Sequence, residues 1–131
     1  MTRAILVIAA LGTAISFAAA QPQATNLAES GNSFLATCEN AGNSNDTSVS
    51  SFTRGLCFGY VSGVSDGIEL AQSLPSMHAD YCLPSESTNG QKFDTVVKFI
   101  KQHPEIRHWQ TRELLLRGLT EAFPCPATQK R

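Results

Sequence analysis

Asp66 and Glu69 are the carboxylates of this 131-residue chain spaced to share one helical turn, the arrangement an acid and base couple would need. No base, nucleophile or metal ligand accompanies them at a matching spacing, so a solvated face or a capping partner for a neighbouring helix is the better reading. His103 and His108 stand five apart across a proline, where a helical metal pair would want three or four, and His78 lies well upstream in another loop. No nucleophile elbow, P-loop or zincin signature is read. The residues therefore point away from an enzyme, and no cofactor or metal is expected.

The first twenty residues read as an export leader. Arg3 is a short positive start, Ala4 to Phe17 is apolar, and Ala18-Ala19-Ala20 before Gln21 has the small-x-small form of a cleavage site. The apolar run falls short of the roughly 20 residues that cross a bilayer, so residues 21–131 are expected as one domain with no membrane attachment after cleavage. Without Arg3 the ten basic residues become nine against eleven acidic ones, with no basic cluster. A nucleic-acid partner has no electrostatic footprint here. Cys38, Cys57, Cys82 and Cys125 all follow the leader, and an even count in an oxidising compartment implies two disulfides.

Helical periodicity supplies the elements that would hold these residues. Ala24, Leu27, Ala28, Gly31, Phe34, Leu35 and Cys38 follow the spacing of an amphipathic helix that ends near Asn40, although Gly31-Asn32-Ser33 would allow a start as late as Asn32. Residues 41–50 are loop-formers. A second helix runs from about Phe52 to Leu74 and stops at Pro75. A Thr88-x-x-Gln91 capping box opens a third, whose Phe93, Val96, Val97 and Ile100 share a face until His103-Pro104. Pro104-Glu105 suits the first turn of a fourth, with Leu115, Leu116, Leu119, Ala122 and Phe123 as its core face before Pro124. No alternating stretch long enough for a strand occurs, and the expected fold is a compact all-α bundle of about four helices stapled by two disulfides.

The second helix is unusual. Gly55, Gly59, Gly63 and Gly67 stand four apart on one face, each costing roughly 1 kcal/mol of helix stability relative to alanine. Such a ladder makes a groove free of side chains where another backbone can approach. Contact with the first or last helix of the same chain is the reading put first, and the symmetric core of a dimer is the other. Cys57, Val61, Val64, Ile68 and Ala71 form one apolar stripe, and Phe52, Leu56, Leu70 and Leu74 flank the glycines on a second, so the helix is expected to be packed on two sides. Phe58 falls in the polar arc, where either a covering loop or a partner would account for it. Tyr60, beside the groove, reads as core. Cys57 lies about 25 Å up the helix from its end, which disfavours a bond to Cys82 only eight residues beyond Leu74. Of the two remaining pairings, Cys38 with Cys57 and Cys82 with Cys125 is favoured, each bond worth roughly 3 to 4 kcal/mol by loop closure.

Four blocks resemble the Rap/Tai immunity proteins. Cys57-Phe58-Gly59-Tyr60-Val61-Ser62-Gly63-Val64-Ser65-Asp66-Gly67 is similar to their Cys-x-Gly-Tyr-x-x-Gly-x-x-Asp-Gly segment. Tyr81-Cys82-Leu83-Pro84 with Thr88 to Gln91, then Val97 to Glu105, then Ala122-Phe123-Pro124-Cys125, follow in the family's order. The resemblance implies a periplasmic helical protein, commonly a homodimer, that occludes a cysteine-type peptidoglycan amidase delivered by a type VI secretion system. It does not fix the contact residues. The candidates are His78, Asp80, Ser85, Glu86 and Ser87 on the connection, with Asp66 and Glu69 on the polar face, since binding residues concentrate on loops held by a rigid scaffold. The alternative is a small periplasmic helical chaperone without a dedicated target.

Overall fold

The computed structural model describes residues 26–75 and 81–126, and within them the chain is all helical. Four helices, α1 (Gly31–Cys38), α2 (Ser51–Gln72), α3 (Asn89–Gln102) and α4 (Thr111–Ala122), pack with a single 3-10 turn, Pro104–Ile106, between the last two. The leader and its cleavage site lie outside the described residues.

Local chemistry places the starts of α1, α2 and α3. The Ser30 hydroxyl accepts from the Ser33 N–H at 3.2 Å, and the Ser50 hydroxyl accepts from the Thr53 N–H at 3.1 Å, each satisfying one of the donors a helix leaves unpaired at its first turn. Both halves of the capping box at Thr88 and Gln91 are formed. The loop before α2 is gathered by a residue that its sequence does not single out. The Arg54 guanidinium donates to the carbonyls of Ala41, Asn43 and Asp46.

One core joins all four helices. Phe34, Phe93, Ile100, Leu114, Leu115 and Leu119 are its largest fully buried side chains. Cys38–Cys57 pins α1 to α2 with Cα atoms 5.6 Å apart, and Cys82–Cys125 pins the α2–α3 connection to the C-terminal segment at 4.8 Å. That is the favoured one of the two pairings that the reach argument left.

Three expectations need adjustment. Helix α1 begins at Gly31, inside the range that the sequence left open, so Leu27 is buried from a turn rather than from a helix, and Ala24 lies outside the described residues. The fourth helix does not start at Pro104. The carbonyls of Arg107 and Trp109 accept from the N–H groups of Asn32 and Gly31 at 3.1 Å each, and α4 begins only at Thr111, whose hydroxyl donates to the Leu27 carbonyl at 2.5 Å. Those two carbonyls serve as the N-terminal partners of α1, so they are not free to continue a helix.

The third correction concerns α2, which packs on one side only. Cys57, Val61 and Ser65 are buried, while Phe52 and Leu70 are 79% and 70% exposed, with Leu56 and Leu74 also open. A Cβ added at Gly55, Gly59, Gly63 or Gly67 would have nothing within 4 Å among the described residues. Neither α1 nor α4 enters the groove, because both approach the opposite side of α2, where the disulfide and Val61 sit. Phe58 is accounted for within the fold, stacked on Phe93 of α3 at 4.4 Å between ring centroids. Tyr60 is half-buried 6.2 Å from Phe34. Burial raises its phenol above the ordinary value of 10.0, against a smaller downward pull from Arg112.

Candidate partner-binding surface

The connection into α3 is short, exposed and held at both ends. Tyr81 is buried and its hydroxyl donates to the Ser65 carbonyl at 3.1 Å, the Cys82 N–H donates to the Phe123 carbonyl at 2.9 Å, and the disulfide locks the same point to Cys125. On the far side the capping box fixes Thr88. Between these anchors the Ser87 N–H closes a turn on the Pro84 carbonyl at 2.9 Å, which leaves Ser85 and Glu86 facing solvent and Ser87 half-buried. A shallow groove of about 520 Å³ lies beside the turn, lined by Pro84, Glu86, Ser87, Asp94 and Phe123 among others. Its charged lining is acidic only, so it suits a neutral or basic segment of a partner. His78 and Asp80 lie outside the described residues.

Asp66 and Glu69 are brought to this end of the bundle by a residue the sequence reading missed. Lys92, buried to 7% exposure in the first turn of α3, points its ammonium at Asp66 (3.4 Å) and Glu69 (3.1 Å), with the Ser65 hydroxyl at 3.5 Å. A buried ammonium needs compensation of this kind. The signal was present in the sequence, since a lysine beside Phe93 at the start of an apolar face has little solvent to reach. Both carboxylates keep an exposed edge, so they serve as counter-charges while still facing any partner. Tyr81 and Lys92 thus tie the two flanks of the exposed turn to one stretch of α2, residues 65–69.

Among the described residues the candidate catalytic groups do not converge. The letters Gly63-Val64-Ser65-Asp66-Gly67 do fit the spacing of a nucleophile elbow, which the sequence reading passed over. Ser65, however, is fully buried in mid-helix and donates to the Ser62 carbonyl at 3.0 Å, far from the exposed strand-to-helix turn that the motif needs. His103 is 2.9 Å from the Phe99 carbonyl through Nδ1 and lies against the Phe99 ring, and His108 meets Trp109 edge-on. Trp109 carries the Arg117 guanidinium 4.5 Å above its ring. Among the described residues no three His, Cys, Asp or Glu side chains converge on a metal position.

Residues 30–125, from the N-cap of α1 to the last disulfide cysteine, match the family model of Rap1a immunity proteins. The chain belongs to that family. No curated protein and no solved structure gives a significant match. Membership assigns an effector-immunity role, in which the partner is a toxin effector that the protein binds. The matched span takes in the turn at Pro84–Ser87, the Lys92 cluster and both disulfides, so all the described candidates lie inside the family domain.

Proposed function

We propose that this chain is an exported immunity protein that occludes a cysteine-type peptidoglycan amidase delivered by a type VI secretion system. In this reading residues 1–20 are removed on export, residues 21–131 form a single periplasmic domain, and the protein acts as a homodimer without catalysis of its own. Family membership supports an effector partner, and two disulfides suit an oxidising compartment. No described helix is long and apolar enough to cross a membrane.

The observation that carries the reading is the exposed Pro84–Ser87 turn, fixed by a disulfide on one flank and a capping box on the other. An amidase cleft is concave, and a convex turn already held in one conformation enters it with little further loss of conformational entropy. Ser85, Glu86 and Ser87 would fill the cleft, with His78, Asp80, Asp66 and Glu69 at its rim, and a blocked cleft excludes substrate without any chemistry on the inhibitor.

Capture of amidases from the same genome by the oxidised protein, followed by a peptidoglycan-cleavage assay, tests this. Stoichiometric capture with loss of cleavage is expected, weakened at least tenfold by Glu86→Arg with an unchanged thermal midpoint. A chaperone role is the second reading, favoured by the open apolar face of α2. Absence of capture, together with suppression of client aggregation at acid pH, would transfer the function to it.

A further inference from the structure

The open face of α2 is self-complementary about a single residue. Counting outward from Gly63, glycine answers glycine at Gly59 and Gly67, leucine answers leucine at Leu56 and Leu70, and Phe52 answers Leu74. At 100° per residue the positions from Phe52 to Leu70 keep within about 40° of the line through Gly63, so they form one stripe along the helix, and Leu74 follows two residues beyond its last residue, Gln72. The four large side chains in it are the exposed large hydrophobics of the described chain, and the glycines between them meet no described atom.

We infer that α2 pairs with α2 of a second copy, antiparallel and crossing at Gly63. A twofold axis through that point sets Leu56 of one copy against Leu70 of its mate, and Phe52 against Leu74, at both ends of the contact at once. The three central glycines let the two backbones approach closely between these apolar ends. A parallel arrangement would oppose each residue with its own copy, placing Phe52 on Phe52 and Leu74 on Leu74, and would leave the symmetry about Gly63 without a use. Charge does not oppose the pairing, since no Lys, Arg, Asp or Glu lies on the stripe itself. The apolar side chains and bare helix backbone present on the order of 500 Å² per copy, so the pair would bury about 1,000 Å², the lower bound for a specific association. The turn at Pro84–Ser87 contributes no residue to the stripe.

This inference rests on the homodimer reading and specifies its seam. Single cysteines on the exported, oxidised protein test it, because the four native cysteines are already paired. Gly63→Cys is expected to cross-link to itself on oxidation. Gly59→Cys and Gly67→Cys should each stay monomeric on reducing-free gels alone but cross-link when mixed, and Gly63→Leu should weaken dimerisation at least tenfold in sedimentation while leaving the helical signal unchanged. A dimer in sedimentation whose cysteines each cross-link to themselves, or do not cross-link at all, overturns the antiparallel seam and leaves the dimer standing. A monomer at all concentrations overturns both, and if Phe52→Glu then also abolishes amidase capture the face belongs to the effector. Amidase capture by the unaltered protein is scored separately, so the immunity reading stands or falls on its own.

Discussion

Gly31 and Gly118 stand in the closed half of the molecule, and Gly55, Gly59, Gly63 and Gly67 in the open half. At Gly31 a methyl group would come within 2.5 Å of Leu114, 3.0 Å of Ile100 and 3.1 Å of the Arg107 carbonyl. At Gly118 it would press on Phe99 at 3.0 Å. Those glycines let α1 and α4 approach their neighbours. The glycines of α2 make the same backbone accessible, yet no described atom of the chain comes near them. The same residue type therefore marks a contact already made in one half, and a surface available for contact in the other.

Substitution can sharpen this contrast to a difference of sign. Gly31→Ala should produce the largest effect, a loss of about 2 kcal/mol in urea unfolding, because the Arg107 carbonyl is held by its bond to Asn32 and gives way poorly. In the first turn of α3, Lys92→Met should be nearly neutral. Asp66→Asn combined with Glu69→Gln should cost about 1 kcal/mol, since the buried ammonium loses its counter-charges and solvent screening limits the loss at such exposed partners. One effect should run the other way. Gly67→Ala, measured at concentrations where the protein is monomeric, should gain about 0.5 to 1 kcal/mol in unfolding free energy, from the lower entropy of the unfolded chain and better helix propensity. A loss there would mean that something in the monomer already covers the groove, and the contrast between the halves would disappear.

Much of the architecture was legible because it rests on local chemistry. Thr88 and Gln91 open α3 where their capping box demands, and the apolar spacing of Phe93, Val96 and Ile100 named a true core face. What the sequence could not convey was set by contacts distant along the chain. The start of α4 depends on carbonyls claimed by α1, and the burial of Lys92 depends on which stretch of α2 lies across from it. The wheel of α2 carried two apolar stripes, and nothing in periodicity distinguishes a stripe that meets its own chain from one that does not. The turn at Pro84–Ser87 was located by its loop composition, but its rigidity came from Tyr81, Cys125 and Phe123, none of which lies in the turn.

The two disulfides close separate rings, residues 38–57 and 82–125, that neither overlap nor interlock along the chain. A peptide bond cut inside either ring therefore leaves a single covalent molecule, whereas a cut between 58 and 81 separates it into two. Exposed polar loop tips are the preferred places for proteolytic nicking, and both the 43–48 loop and the Pro84–Ser87 turn lie inside rings. Between the rings, residues 58–72 belong to helix α2. These two exposed loops therefore sit where a single nick does not divide the chain.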